Sequence, residues 1–184
     1  MQILGIAGSL RSGSYNRALL QAARELAPAG VEIVEFDLRE LPFYDGDVEA
    51  AGDPAPVAAF KEAIRSADAL LIATPEYNHG IPGVLKNAVD WASRPALASP
   101  LAGKPVAIMG ASTGFGGTAR AQKQLREVLE FSRPVLLDEP RVLVPEAFMR
   151  FDEDGVLADE EARATISELL ESLAAVAGDV TLAA

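Results

Sequence analysis

Five short apolar runs, at 3–7, 31–36, 69–73, 106–109 and either 135–137 or 142–144, alternate with longer stretches whose apolar residues recur at helical spacing. Parallel strands cannot be joined by tight turns. They need crossovers of a dozen or more residues, usually helices, so the alternation restricts the chain to an α/β architecture with a helix-covered parallel sheet. The runs are almost unbroken apolar sequence, as in Leu70, Leu71 and Ile72, which suits strands buried on both faces. The stretches 16–26, 56–67, 83–93 and 118–131 read as helices. A last helix is marked by Ile166, Leu169, Leu170, Leu173 and Val176, an i, i+3, i+4, i+7 stripe able to seal one face of the sheet.

The expected fold is a doubly wound five-stranded parallel sheet of flavodoxin-like order 2-1-3-4-5, in one domain spanning 1–184. Residues 45–56 form the longest polar connection, and no linker separates two units. With that order the chain reverses direction between strands one and three, and a ligand belongs in the crevice at their carboxyl ends. The informative loops are therefore those after Ala7, Ala73 and Met109, all rich in Gly, Ser, Thr or Asn.

The first of these, Gly8-Ser9-Leu10-Arg11-Ser12-Gly13-Ser14-Tyr15-Asn16, leads from an apolar strand into a helix. Free N–H groups of a first helical turn bind anions, aided by the helix dipole. Three hydroxyls, an amide and a guanidinium exceed what a turn requires, and their density suits a terminal phosphate monoester. The glycines at 5, 8 and 13 lack the G-x-G-x-x-G spacing of a dinucleotide loop, and no Gly-Lys-Ser/Thr follows them. The alternative is that Ser and Asn merely cap the helix while Arg11 stays in solvent. Asp37, placed where NAD-binding folds carry a ribose-binding acid, reads as a turn residue without that fingerprint.

Charge sharpens the reading of Arg11. With 27 acidic and 16 basic side chains the chain carries a net charge of −11, which repels polyanions and argues against nucleic-acid partners. There is no cysteine, so thiolate chemistry and sulfur-rich metal sites are excluded, and redox chemistry requires a borrowed cofactor. No apolar run approaches the ~20 residues of a membrane span. Residues 1–7 have no basic stretch before their apolar run and read as a strand rather than a signal peptide, so a cytoplasmic location is expected.

The second loop, Thr74-Pro75-Glu76-Tyr77-Asn78-His79-Gly80-Ile81-Pro82-Gly83, is stiffened by prolines at both ends and can present backbone groups to the edge of a flat ring. Tyr77 either stacks near such a ring or packs beneath the loop. His79, the only histidine, has no obvious carboxylate or serine partner and reads as a loop residue rather than an acid–base group. The third loop, 110–118, contributes Ser112 and Gly114 and glycines that let backbone approach a ligand. Trp91 reads as core or interface. The scattered glutamates of the later helices read as solvated faces without metal-site spacing.

Together, Gly8-Ser9-Leu10-Arg11 with Ser14 and Asn16, then Pro75-Glu76-Tyr77-Asn78 running through Gly80-Ile81-Pro82-Gly83-Val84-Leu85-Lys86-Asn87-Ala88-Val89-Asp90-Trp91, closely resemble the NADPH-dependent FMN reductase family of flavodoxin-fold proteins. The resemblance implies FMN as cofactor and NADPH or NADH as co-substrate. It implies a phosphate site at Ser9, Arg11, Ser14, Tyr15 and Asn16, and a flavin edge at Pro75, Glu76, Tyr77, Asn78 and Gly80 with Ser112 and Gly114. It further implies ping-pong reduction of a small-molecule acceptor (a quinone, azo compound, chromate or flavin) without a side-chain base, in a homodimer or homotetramer whose interface lies near the flavin. Arg120 is an interface candidate, and Tyr77, Phe115 and Trp91 are expected to place aromatic surface around the crevice. The rival readings are a flavodoxin-type electron carrier and a flavin-binding regulatory protein.

Overall fold

The computed structural model describes residues 1–183. Strands β1 (Gln2–Ala7), β2 (Glu32–Phe36), β3 (Ala69–Ala73) and β4 (Pro105–Ala111) pair in parallel in the order β2-β1-β3-β4. β1 sits centrally, with Gly5 opposite Glu35 on one side and Leu71 on the other. The fifth position is shared by two short strands, β5 (Val135–Leu136) beside the start of β4 and β6 (Val142–Val144) beside its end. The sequence offers two apolar runs for one strand, and the structure uses both. Between them lies Asp138-Glu139-Pro140, where proline has no N–H for a ladder, so the chain leaves the edge of β4 and returns to it.

Side-chain alternation along each strand divides the core into two layers. Ile3, Leu71 and Met109 face α1 (Tyr15–Glu25) and the long terminal helix, Glu160–Ala183, through Leu19, Leu20, Leu169, Leu170 and Leu173. On the other side, Leu4, Ile6, Leu70, Ile72 and Ile108 pack with residues of three later helices. Before these comes α2 (Gly46–Ala51), a short helix inside the long polar connection at 45–56, begun by Asp45 accepting from the Asp47 N–H at 2.9 Å. The three packing helices are α3 (Ala55–Ser66), α4 (Gly83–Ala92) and α5 (Ala119–Glu130), which bury Phe60, Ile64, Leu85, Trp91, Leu125 and Leu129. The terminal helix is α6. Each such side chain contributes roughly 1.5–3 kcal/mol by leaving water.

Trp91 belongs wholly to this second layer. It is fully buried, and its indole N–H donates to the Pro42 carbonyl at 2.8 Å, so it adds no aromatic surface to the crevice. Among the described residues no helix is long and apolar enough to cross a membrane. The doubly wound order brings the carboxyl ends of β1, β3 and β4 together, and with them the three loops singled out by the sequence.

Candidate functional site

The first loop is anchored before it opens, since the Gly8 N–H donates to the Ala73 carbonyl at 2.8 Å. It ends at Ser14, whose extended backbone and hydroxyl cap α1. Ser14 Oγ accepts from the N–H groups of Asn16 and Arg17 at 3.2 and 3.4 Å. Among the described residues nothing accepts from the N–H groups of Ser12, Gly13, Ser14 or Tyr15, which leaves four donors at the positive end of an eleven-residue helix. Ser9 is buried with its hydroxyl 3.4 Å from both the Arg11 N–H and the Tyr77 hydroxyl. The exposed Arg11 folds across the loop, donating through Nη2 to the Gly13 carbonyl at 2.6 Å with its guanidinium over the Tyr15 ring.

Asn16 is turned elsewhere. Its amide donates to the Ala111 carbonyl and its oxygen accepts from the Ala111 N–H, both at 2.9 Å and both buried. This pair of bonds satisfies the last residue of β4 and fixes the first loop against the third. Asp37 is the turn residue expected of it, accepting from the Arg39 N–H at 2.9 Å and facing Arg17 and Arg39.

In the second loop, Tyr77 and Gly80 exchange two backbone hydrogen bonds of 3.0 Å around Asn78 and His79, at φ 51° and 65°. Two successive positive φ values define a type I′ turn, which asparagine tolerates better than most residues. Tyr77 is half exposed and reaches the Ser9 hydroxyl, so it lines the crevice instead of packing beneath the loop. The loop is clamped to α5 at both ends. Glu76 Oε2 accepts from the N–H groups of Arg120 and Ala121 at 3.0 and 3.1 Å, and the Ile81 N–H donates to Gln124 Oε1 at 2.8 Å. Thr118, at the N-cap of α5, makes no side-chain cap bond, and Glu76 takes over that function. Nothing in the sequence marks Glu76 as a cap, because its partners lie 44 and 45 residues away.

Glu76 also gives His79 the carboxylate neighbour that the sequence did not reveal. Oε1 lies 3.4 Å from His79 Nδ1, and Arg120 Nη1 lies 2.6 Å from the same nitrogen. The His79 side chain is nonetheless 72% exposed and has no serine beside it. A ring so open to solvent, with no hydroxyl partner, is not arranged as a relay.

At the third loop, a Cβ on Gly110 would collide with Thr118 Oγ1 and the Thr74 carbonyl, so only glycine lets β4 pass between them. Ser112 Oγ accepts from the Gly114 N–H at 3.2 Å and donates to the Gly117 carbonyl, folding the loop on itself. Backbone bonds from Glu146 to Gly114 and from Ala147 to Ser112 tie it to the turn after β6. Between the second and third loops lies a cleft of about 570 Å³ bordered by Glu76, Asn78, Ser112, Gly114, Phe115 and Arg120. The Pro75 carbonyl accepts from the buried Thr74 hydroxyl at 2.9 Å behind it. With Trp91 buried, the aromatic rim consists of Tyr77 and the 88% exposed Phe115.

This geometry can be set beside known proteins. The sequence model of the NADPH-dependent FMN reductases matches residues 1–148. An NAD(P)H-dependent FMN reductase of Pseudomonas aeruginosa is 52% identical over 173 residues, covering 94% of this chain and 93% of that protein. An NAD(P)H:quinone oxidoreductase of Solanum tuberosum is 43% identical over 188 residues, 96% and 93% of the two chains. A flavoenzyme NAD(P)H:(acceptor) oxidoreductase from Paracoccus denitrificans superimposes with a TM-score of 0.87 at 31% identity, covering 97% of each chain. The chain therefore belongs to the NADPH-dependent FMN reductase family, flavodoxin-like oxidoreductases whose cofactor is FMN and whose electron donor is NAD(P)H.

Proposed function

We propose that the protein reduces quinones and flavins, with azo compounds and chromate as further acceptors, in a ping-pong cycle in which NAD(P)H and the acceptor occupy one open face in turn. The observation that carries this reading is the set of four unpartnered N–H groups at the start of α1, on a loop that also carries the hydroxyls of Ser9, Ser12 and Ser14 and Arg11 and that Asn16 holds against Ala111 of β4. This donor set fits a phosphate monoester in a chain whose net charge otherwise repels anions. FMN, when bound, supplies the chemistry, accepting hydride from a nicotinamide and passing two electrons to the acceptor.

The chain's own part is to bind and orient. Ser9, Arg11, Ser12, Ser14 and the Tyr15 N–H hold the phosphate, while Asn16 fixes that loop to Ala111 instead of donating to the ligand. Pro75, Glu76, Tyr77, Asn78 and Gly80 form one wall of the cleft as a preassembled turn, and Ser112 and Gly114 form the other. The N–H groups of Asn78 and Thr113 have no protein acceptor among the described residues, so both walls keep donors for the anionic edge of a reduced ring. No side-chain base is needed, consistent with the exposed His79.

One shallow cleft with two walls gives both co-substrates the same seat, which supports the ping-pong order. Initial rates against NADPH at several fixed benzoquinone concentrations test it. Parallel double-reciprocal lines are expected, and lines that intersect would show that donor and acceptor bind together. Rates with an azo dye, chromate and free FMN then rank the acceptors.

A further inference from the structure

We infer that the groove between α5 and β6 seats the 2′-phosphate that distinguishes NADPH from NADH, with Lys123, Arg126 and Arg141 as its charge partners. This rests on the reading that the chain takes electrons from a nicotinamide dinucleotide. The groove holds about 320 Å³ and is lined by Ala119, Gln122, Lys123, Arg126, Arg141 and Leu143, three cations and no carboxylate. In a chain with 11 more acidic than basic side chains, such a lining offers a dianion a site that the overall field does not.

The three cations already have partners, and the partners are weak. Arg126 Nη1 meets Asp138 at 2.9 Å, Arg141 Nε meets Glu139 at 3.3 Å and Lys123 meets Glu127 at 3.9 Å. The carboxylate side chains are 86%, 71% and 61% exposed. Exposed pairs of this kind contribute only about 0–1 kcal/mol, so a phosphate carrying a charge of about −1.5 to −2 displaces them readily. Arg126 differs from the other two. Its side chain is 19% exposed and Nη2 donates to the Leu137 carbonyl, which presents a fixed fork rather than a mobile charge.

Position supports the same ligand. Ala119 borders both the groove and the cleft. Gly117, at φ 57°, sits against Leu143, so the third loop and the groove share an edge. From Ala119 to Arg126 the helix rises about 10 Å. A dinucleotide with its nicotinamide in the cleft can thus run its adenosine end along α5 toward Arg126 and Arg141. NADH, with a hydroxyl in place of the phosphate, gains nothing from that charge.

The test uses the FMN-loaded protein and the double variant Lys123→Ala/Arg141→Ala, which removes the two exposed cations and keeps the anchored Arg126. The expected result is a KM for NADPH raised about ten- to a hundredfold with kcat unchanged, the pattern of lost ground-state binding, while the KM for NADH stays within about twofold. Calorimetric titration with adenosine 2′,5′-bisphosphate should show binding to the parent that weakens with salt and falls at least about tenfold in the variant, with adenosine 5′-monophosphate as control. An unchanged KM for NADPH, an equal rise for both nicotinamides, or no preference for the bisphosphate would overturn the groove assignment. Failure of the parent to oxidise either nicotinamide would instead overturn the reading on which it rests.

Discussion

Arg11 is the residue on which the phosphate assignment turns, because it is an exposed cation folded across the loop beside four open N–H groups. Arg11→Ala should weaken FMN binding by about 1.5–3 kcal/mol, or roughly ten- to a hundredfold, in a fluorescence-quench titration of the apoprotein. Unchanged affinity would remove Arg11 from the site. His79 leads to the opposite expectation. Its neighbours Glu76 and Arg120 are close, yet the ring is open to solvent, and the proposed hydride transfer would need no imidazole. His79→Ala should keep NADPH oxidation within several-fold of the parent in a stopped-flow measurement. A fall of about a thousandfold, equivalent to ~4 kcal/mol of barrier, with FMN still bound would show a role that the geometry does not explain. At this scale the sequence offers residue types suited to a phosphate but does not show which way each one turns. Asn16 carries the chemistry of a phosphate donor and lies in the right loop, but its partner is Ala111, 95 residues away.

Among the elements, α5 depends on a loop that precedes it by more than 40 residues. Because Glu76 caps α5 while holding the turn at 77–80, Glu76→Ala should cost about 1–2 kcal/mol in chemical denaturation, whereas Glu76→Gln, which keeps an acceptor oxygen, should lose less. Equal losses would mean that the charge rather than the hydrogen bonds holds the clamp. At α6 the cap is Asp159. The Ala162 N–H at 2.9 Å, and after it the Arg150 guanidinium at 2.6 Å, hold its carboxyl below the ordinary carboxylate range despite partial burial. A depressed folded-state value means that the stabilisation is fully present above the unfolded value of about 3.9 and is lost as pH falls through the lower folded value. Asp159→Asn should therefore lower thermal stability at neutral pH and approach the parent as the pH drops below that range. A constant difference at every pH would contradict the ionic part of this cap.

For the whole molecule, the sheet order is legible because each strand carries an apolar run and each crossover a helical stripe, and that order alone locates the crevice. The split fifth position is not, since two runs of similar length flank Pro140 and local pattern cannot assign either to β4. Trp91 reads in the sequence as a crevice aromatic, whereas it packs into the second core layer with its indole N–H bonded to Pro42, far from it in sequence. We expect the surface to be completed by a second copy. Phe115, Phe148 and Met149 are 88%, 59% and 68% exposed on segments joined by backbone hydrogen bonds, and large apolar side chains left in water at one place favour a contact. Light scattering of the FMN-loaded protein should give at least twice the 19.4 kDa of one chain, and a single-chain mass would reject the assembly. The central claim is that the three loops hold an FMN that a nicotinamide can reach. It is tested most directly by anaerobic titration of the FMN-loaded protein with NADPH while the visible flavin band is followed. The account predicts that the band is lost with about one equivalent of NADPH and returns on adding benzoquinone. A band that persists under excess NADPH would contradict it.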